Sequence, residues 1–208
     1  MNAGVSAGGL STKSEPLSRR DSLLDAAGTL VATGDVAGVT MESVAAASGV
    51  SRALVYKHFS NRQDVLAALF ERESRLLHKQ LTLAVARAVG LEAKFMALVE
   101  GALAAQASRG ATFAALMHQG GRQADQRAVQ RRRDSVTVRY FASLAVDELG
   151  LEEREATTGA QLALGAIALV LQQWRHRPTR EHAEELAHAY VAFAMGGLRT
   201  LSFSSLPS

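Results

Sequence analysis

The sequence predicts an all-α protein with an N-terminal three-helix helix-turn-helix head and a larger helical bundle behind it. Apolar side chains recur at spacings of three and four residues along most of the 208-residue chain, and no strand-like alternation occurs. Three prolines and 5% aromatic residues, with abundant Ala, Leu, Glu, Gln and Arg, also favour helices. A hydrophobic content of 48% suffices for a buried core in one large or two small domains.

The chain begins with a segment that lacks any apolar period. Residues 1–15 consist largely of Gly, Ser, Ala and Thr, and we predict a disordered arm there. A first helix is predicted from Leu17 to Thr33, with Gly34 ending it. We expect its apolar stripe to form the third wall of a core around Val44, Val55 and Phe59.

Two short helices and the start of a third follow. Thr40 precedes the first at the N-cap position, whereas Ser43, three residues on, is not the Glu of a capping box. Gly49 ends that helix, because glycine accepts the left-handed conformation of a sharp exit. Ser51 caps the second helix, and Asn61 caps a long third one. A helix, a corner with glycine and a second helix form the helix-turn-helix motif, whose second helix lies in the DNA major groove.

The second short helix presents side chains suited to DNA. If Val55 points inward, the helical step turns Ala53, Tyr56 and Lys57 outward. Lys57 can pair with phosphate or guanine, Tyr56 can donate to phosphate or pack on a thymine methyl, and Ala53 permits a close approach. Arg62, beside the N-terminus of the third helix, suits another phosphate. An ordinary helical hairpin with a solvated outer face is the alternative.

The exact order of residues in this region indicates a protein family more specifically than the helical period does. Val50-Ser51 followed by residues 54–59, LVYKHF, resembles the recognition helix of the TetR family of one-component transcriptional regulators. The resemblance runs from about Arg19 to Leu69, and Leu54 departs from it where a small hydroxyl residue is common. The exposed face and the resemblance together predict DNA contacts at Thr40, Ser51, Arg52, Ala53, Leu54, Tyr56, Lys57, His58 and Arg62.

Glycine and proline divide the remaining chain into helices. The helix from Asn61 extends to about Arg87, too long for the small head to cover, so it is predicted to join the head to the body. Gly90 ends it, and further punctuation predicts helices at about 91–108, 111–118, 124–148, 152–176 and 180–203. The predicted domains are a head at 16–64 and a ligand-binding and dimerisation domain at 65–208.

The last two helices predict a homodimer. Residues 162–171 are apolar nearly all round, whereas a peripheral helix of a monomer shows one polar face. We therefore expect a two-fold four-helix bundle between two copies, with a buried intramolecular pair as the alternative. The residues predicted at the interface are Gly159, Ala163, Ala166, Ala187, Tyr190, Ala194, Gly197 and Leu198.

The resemblance also implies that the body encloses a small hydrophobic effector. The candidate pocket residues are Phe95, Met96, Val99, Leu103, Phe113, Met117, His118, Arg133, Tyr140 and Trp174, although each apolar one taken singly is more typical of plain core. Arg133 interrupts an apolar stripe, and a guanidinium facing a core is costly unless it is paired. Pairing with an acid such as Glu100 and contact with an anionic ligand both remain open.

Composition and motifs argue against other classes of protein. The net charge of +3 lies outside residues 1–64, which contain equal numbers of acids and bases, so bulk charge alone does not predict DNA binding. The absence of cysteine excludes a disulfide framework and fits the cytoplasm. The six histidines lack metal-ligand spacing, and no nucleotide loop or nucleophile elbow occurs. We expect no enzyme activity, cofactor or metal, no secretory signal and no membrane span.

The resulting prediction is a ligand-responsive transcriptional regulator. As a repressor, it would leave a palindromic double-stranded operator when a small apolar molecule binds. The alternatives are a dimeric DNA-binding protein without a small-molecule ligand and a helical enzyme with an incidental helix-turn-helix.

Overall fold

The computed structural model describes residues 18–33, 36–120 and 124–201, except for the side chains of residue 109 and residues 111–134. Over these ranges the chain forms eight α-helices and no strand, which confirms the predicted all-α class. The predicted arm at 1–15 and the turn residue Gly34 lie outside the described residues. The helices are α1 (Arg19–Ala32), α2 (Met41–Ser48), α3 (Arg52–His58), α4 (Arg62–Arg87), α5 (Leu91–Gly120), α6 (Ala124–Leu149), α7 (Glu153–His176) and α8 (Arg180–Leu201).

The head is organised around one hydrophobic core. Helix α1 packs on α2 and α4, and it forms the predicted third wall of this core. The side chains that are almost fully buried there include Leu23, Leu24, Val31, Val44, Val55, Phe59, Leu66 and Leu69. Because this core extends to Leu69, α4 belongs to the head for two of its turns beyond Asn61. The domain boundary at 64/65 stays a prediction.

The N-terminus of α2 differs from the expectation. The Thr40 Oγ1 accepts a hydrogen bond from the Ser43 backbone N–H at 3.0 Å, and the Thr40 N–H donates to the Ser43 Oγ at 2.8 Å. These two bonds form a reciprocal capping box, so serine performs the role usually given to Glu. The Ser43 hydroxyl also donates to the Gly38 carbonyl at 2.7 Å, which fixes the preceding turn.

The corner between α2 and α3 follows the sequence prediction. Gly49 adopts a left-handed conformation with φ of 66°. The Ser51 hydroxyl then accepts from the Leu54 N–H at 3.3 Å, and the Asn61 side chain accepts from the Asp64 N–H at 3.0 Å. Local hydrogen bonds therefore fix where both α3 and α4 begin.

A second core holds the body together. It is built from α5, α6, α7 and α8 with the end of α4. At its centre the Phe95 ring lies 4.6 Å from that of Phe141 and 6.2 Å from that of Tyr190, between ring centroids. The Tyr190 hydroxyl donates to the Ala163 carbonyl at 3.1 Å, and burial raises the pKa of this phenol.

The prediction of two helices at 91–108 and 111–118 is wrong. Helix α5 runs without interruption from Leu91 to Gly120, and Gly110 lies inside it. A glycine in a helix costs only about 1 kcal/mol relative to alanine, and the alanine-rich flanks offset that cost. Gly90 and Gly150, with φ of 82° and 68°, do end helices as predicted. Within the described residues, no helix combines the length and apolar character needed to cross a membrane.

Candidate nucleic-acid interface and ligand cavity

Helix α3 has one buried face and one exposed face. Val55 is fully buried in the head core, while Tyr56 is 48% exposed and Ala53 and Lys57 are also exposed. This orientation matches the one expected from the sequence. Leu54 and His58 lie half-buried at the edges of the exposed face. That these side chains contact DNA stays a prediction.

Arg52 connects the exposed face of α3 to α2. Its guanidinium forms an ion pair with Glu42, and it lies 6.0 Å from the centroid of the Tyr56 ring. The backbone N–H of Glu42 itself, at the start of α2, lowers the pKa of that carboxyl most, and Arg52 lowers it further. Both side chains are more than half exposed, so Arg52 can exchange Glu42 for another anion at small cost.

The structure gives Arg62 a structural role. Its Nε donates to the Val39 carbonyl at 2.7 Å, and its Nη2 donates to the Val36 carbonyl at 2.7 Å. The guanidinium therefore ties the start of α4 to the loop that precedes α2. Sequence reasoning assigned Arg62 to a phosphate and missed this role. A side chain that bonds to carbonyls 23 and 26 residues away leaves no local pattern in the sequence. Its phosphate contact stays a prediction.

A second arginine fixes α1 against α4. The Arg72 guanidinium donates to the Asp25 carboxylate at 2.8 Å and to the Asp21 carbonyl at 3.1 Å. Arg20, on the same helix α1, lies with its guanidinium carbon 4.8 Å from the centroid of the Phe59 ring. These contacts join α1 to α4 and to Phe59, the residue that ends α3.

A cavity of about 500 Å³ lies between α4, α5 and α6. One wall consists of α4 residues that recur at helical spacing, and α5 and α6 supply the others. The lining residues are His78, Leu81, Thr82, Val85, Ala86, Leu98, Val136, Thr137, Tyr140 and Phe141. Sequence reasoning missed the α4 wall because it treated this helix only as a connection. The signal was available in the spacing of residues 78, 82 and 86, which places them on one face.

Among the predicted pocket residues that the structure describes, Tyr140 alone lines this cavity. Phe95, Val99 and Leu103 are instead buried in the body core, where they have no surface left for a ligand. Met96 lines a second cavity of about 480 Å³ beside the end of α8. The Trp174 Nε1 donates to the Thr179 carbonyl at 3.1 Å, which secures the turn after α7. The side chains of Phe113, Met117, His118 and Arg133 lie outside the described residues.

The residue-level dimer interface stays a prediction, and most of its residues are already buried within one chain. The contact between α7 and α8 within one chain buries Gly159, Ala163, Ala187, Tyr190, Ala194 and Leu198. A Cβ on Gly159 would lie 2.5 Å from the Leu198 Cδ2, so this small residue permits close intramolecular packing. Of the other two residues, Ala166 is half-buried and Gly197 is exposed.

The opposite face of α7 and α8 is apolar and exposed. Leu162 is 68% exposed, Leu169 64% and Phe193 68%. Alanine and glycine residues lie between them, including Gly165 and Gly196, and a Cβ added to either would meet only open space in the chain. Large apolar side chains exposed together on adjacent helices indicate an interaction surface. We call this surface, centred on Leu162, Leu169 and Phe193, the apolar α7–α8 face.

Among the described side chains, no group of three or more His, Cys, Asp or Glu residues converges. The polar groups of the described residues that line the cavity between α4, α5 and α6 are hydroxyls and one imidazole, which suit hydrogen bonding.

Comparison with known proteins places the head within a family. Residues 23–69 match the family model TetR_N, described as bacterial regulatory proteins, tetR family. An uncharacterized HTH-type transcriptional regulator of Mycobacterium tuberculosis is 36% identical over 69 residues, which cover 33% of this chain and 34% of that protein. The sequence match therefore spans about a third of the relative's length.

Solved structures share the fold over most of the chain. A TetR-like transcriptional regulator from Rhodococcus sp. RHA1 has a TM-score of 0.65 at 21% identity, covering 88% of this chain and 97% of that one. The fatty acid degradation regulator FadR from Bacillus halodurans has a TM-score of 0.62 at 21% identity, with coverage of 89% and 99%. The transcriptional regulator FadR from Bacillus subtilis, in complex with stearoyl-CoA, has a TM-score of 0.61 at 16% identity, with coverage of 85% and 98%. The head of this chain therefore matches the tetR family of bacterial regulatory proteins by sequence, and the described helices share their fold with solved TetR-like regulators.

Proposed function

We propose that this chain is a homodimeric transcriptional repressor that leaves a palindromic operator when a small molecule enters the cavity between α4, α5 and α6. The observation that carries the proposal is the exposed face of α3. Tyr56 and Lys57 project from a helix whose position is fixed by the buried Val55 and by the Ser51 cap. Rigid presentation of this kind is what base recognition in a groove requires.

Recognition would depend on a few contacts, because the head is nearly neutral. Lys57 supplies an exposed cation, and Arg52 supplies a second one that can leave Glu42 for a phosphate. Tyr56 offers a hydroxyl and an apolar ring to the same groove. Helix α3 is only seven residues long, so its exposed face covers a short site, and two heads are needed for an operator of useful length.

The apolar α7–α8 face is the proposed dimer interface. A second copy related by a two-fold axis would cover Leu162, Leu169 and Phe193 with the same residues of its own. Such a four-helix bundle would set the separation of the two α3 helices, which must match half-sites about 34–36 Å apart or a multiple of that distance. The protein would act in the cytoplasm, where the DNA of a bacterial cell lies.

The cavity is the proposed effector site because α4 forms one of its walls. The same helix contributes Val65, Leu66 and Leu69 to the head core and Val85 to the body core. A ligand that prefers one position of α4 would therefore shift the population of head separations. FadR from Bacillus subtilis, a regulator of similar fold, is known in complex with stearoyl-CoA, which supports a ligand in a body of this architecture.

The proposal is tested by DNA selection followed by binding measurements. Duplexes enriched from a random pool by the purified protein should contain an inverted repeat. Lys57→Ala should weaken binding to the selected site by about 1–3 kcal/mol if Lys57 pairs a base, or reduce the salt slope by about 1 if it pairs a phosphate. Lys79→Ala, which removes an exposed lysine of α4 outside the head, is the matched control and should change neither.

Two outcomes would contradict the proposal. If Tyr56→Ala and Lys57→Ala bind the selected duplex as the wild type does, α3 is not the recognition helix. If the selected complex persists against a broad set of lipophilic metabolites, the chain is a dimeric DNA-binding protein without an effector.

A further inference from the structure

The cavity between α4, α5 and α6 combines an apolar wall with a few hydrogen-bonding groups. Apolar side chains form most of its wall, and Thr82, Thr137, Tyr140 and His78 supply hydroxyl and imidazole groups. Among the described residues that line the cavity there is neither Asp nor Glu. Hydroxyl and N–H groups can donate hydrogen bonds to an oxyanion, whereas an acidic lining would repel one.

A buried lysine lies directly behind this wall. Lys94, on the first turn of α5, is only 9% exposed, and its Nζ lies 5.7 Å from the centroid of the Tyr140 ring. The ammonium donates to the Val85 carbonyl at 3.0 Å and to the Ala88 carbonyl at 2.8 Å. Tyr140 and Val85 therefore contact both the ammonium and the cavity.

The charge of Lys94 is only partly compensated within the chain. The carbonyls that it binds belong to the end of α4, where the helix dipole supplies about half a negative charge. Among the described side chains, no carboxylate pairs with this ammonium. The nearby Glu148 instead accepts from the Leu91 N–H at 2.9 Å, at the N-terminus of α5. A buried cation without a full counter-charge favours the arrival of an anion.

We infer that the effector is an anionic amphiphile, with an apolar body and one carboxylate at the Tyr140 end of the cavity. The inference rests on the proposed function, in which this cavity is the effector site. A carboxylate matches the single charge of Lys94, whereas a phosphate monoester carries about 1.5–2 negative charges at neutral pH. The aliphatic wall formed by Leu81, Val85 and Leu98 accommodates the apolar body.

The first test uses the wild-type protein and a pair of ligands that differ in charge. Decanoate and decanamide have the same chain and nearly the same shape, so their affinities isolate the effect of the carboxylate. Isothermal titration in the absence of DNA should show decanoate binding at least tenfold more tightly, which corresponds to about 1.4 kcal/mol. Equal affinity, tighter binding of the amide, or no binding of decanoate would overturn the inference.

The second test removes the buried charge. Lys94→Met keeps an unbranched apolar side chain and should reduce the preference for decanoate over decanamide to within about twofold, because the Coulomb attraction is lost. Lys79→Met, at an exposed position of α4, should keep the full preference. Lys94→Arg should retain most of it. A preference unchanged in a folded Lys94→Met protein would overturn the role of Lys94, and the wild-type ligand pair decides the charge class should that variant fail to fold.

Failure of this inference can be distinguished from failure of the proposed function. Ligand affinity is measured without DNA, so it does not depend on α3. If decanoate binds with the expected preference but leaves the DNA complex intact, the inferred anionic site is supported and ligand control of DNA binding is refuted. If another, uncharged ligand releases the DNA while decanoate does not bind, the proposed function stands and the anionic class is wrong.

Discussion

Replacement of Arg62 by methionine separates two roles that this arginine can have. In the structure its Nε and Nη2 each donate a 2.7 Å hydrogen bond to a loop carbonyl, those of Val39 and Val36. A hydrogen bond that involves a charged group contributes about 1.5–3 kcal/mol. Val39 is fully buried and Val36 nearly so, so neither carbonyl readily regains water when the guanidinium is removed, and we expect the full summed range. Arg62→Met should therefore lower the free energy of unfolding by about 3–6 kcal/mol, the sum for two such bonds.

The assay is urea unfolding followed by far-UV circular dichroism, at one fixed protein concentration because dimerisation contributes to stability. Arg75→Met is the matched control, since Arg75 is an exposed arginine of the same helix paired with Glu71. Loss of that surface pair should change the free energy of unfolding by less than about 0.5 kcal/mol.

The DNA measurement completes the test. A structural Arg62 predicts that folded Arg62→Met keeps the wild-type dependence of DNA affinity on salt. A phosphate contact instead predicts a salt slope smaller by about 0.9 for the one charge removed. Unchanged stability together with that smaller slope would refute the structural reasoning and restore the sequence-based assignment.

Three further predictions concern the body. Gly159→Ala should destabilise the protein by about 1–3 kcal/mol in thermal unfolding, because the added methyl meets the buried Leu198. This loss should outweigh the better helix propensity of alanine, and a raised Tm would contradict the close packing. Phe193→Glu should give a monomer in sedimentation equilibrium and abolish tight operator binding, and a stable dimer would move the interface elsewhere. Burial raises the pKa of Tyr190, so the unfolded chain ionises first, and stability should fall as the pH rises above about 10. Tyr190→Phe should reduce that fall and cost about 0.5–1.5 kcal/mol at neutral pH, through its lost bond to the Ala163 carbonyl; an unaltered pH dependence would exclude this phenol as its origin.

Local signals explain why the head could be predicted so closely. Thr40, Ser51 and Asn61 cap their helices within three residues along the chain, and Gly49 supplies the left-handed corner. Interactions between residues so close along the chain can be recognised from the sequence alone. The period around Val55 likewise fixes which side of α3 is exposed. Even here, the sequence did not reveal that Ser43 completes the capping box.

Contacts between distant residues explain what could not be predicted. Glycine disfavours helices, so Gly110 was predicted to end one, yet the helix-forming residues on both sides keep α5 continuous. The small residues around Ala163 indicated close helix packing, but a period cannot say whether the partner helix belongs to the same chain. The cavity depends on the packing of α4 against α5 and α6, and no sequence motif at Lys94 or Thr137 indicates it.

The unbroken length of α4 has a mechanical consequence. Its 26 residues contain neither glycine nor proline, so the helix has no built-in hinge. Between Val85 at the cavity and Leu66 in the head lie about 28 Å of helix, at 1.5 Å per residue. A tilt of about 5° about the cavity end displaces the head by about 2.5 Å over that length. In a symmetric pair the two heads would then move by about 5 Å relative to each other, more than the 3.4 Å step between base pairs. Under the proposed function, a tilt of only about 5° would therefore be enough to move the two heads out of register with DNA.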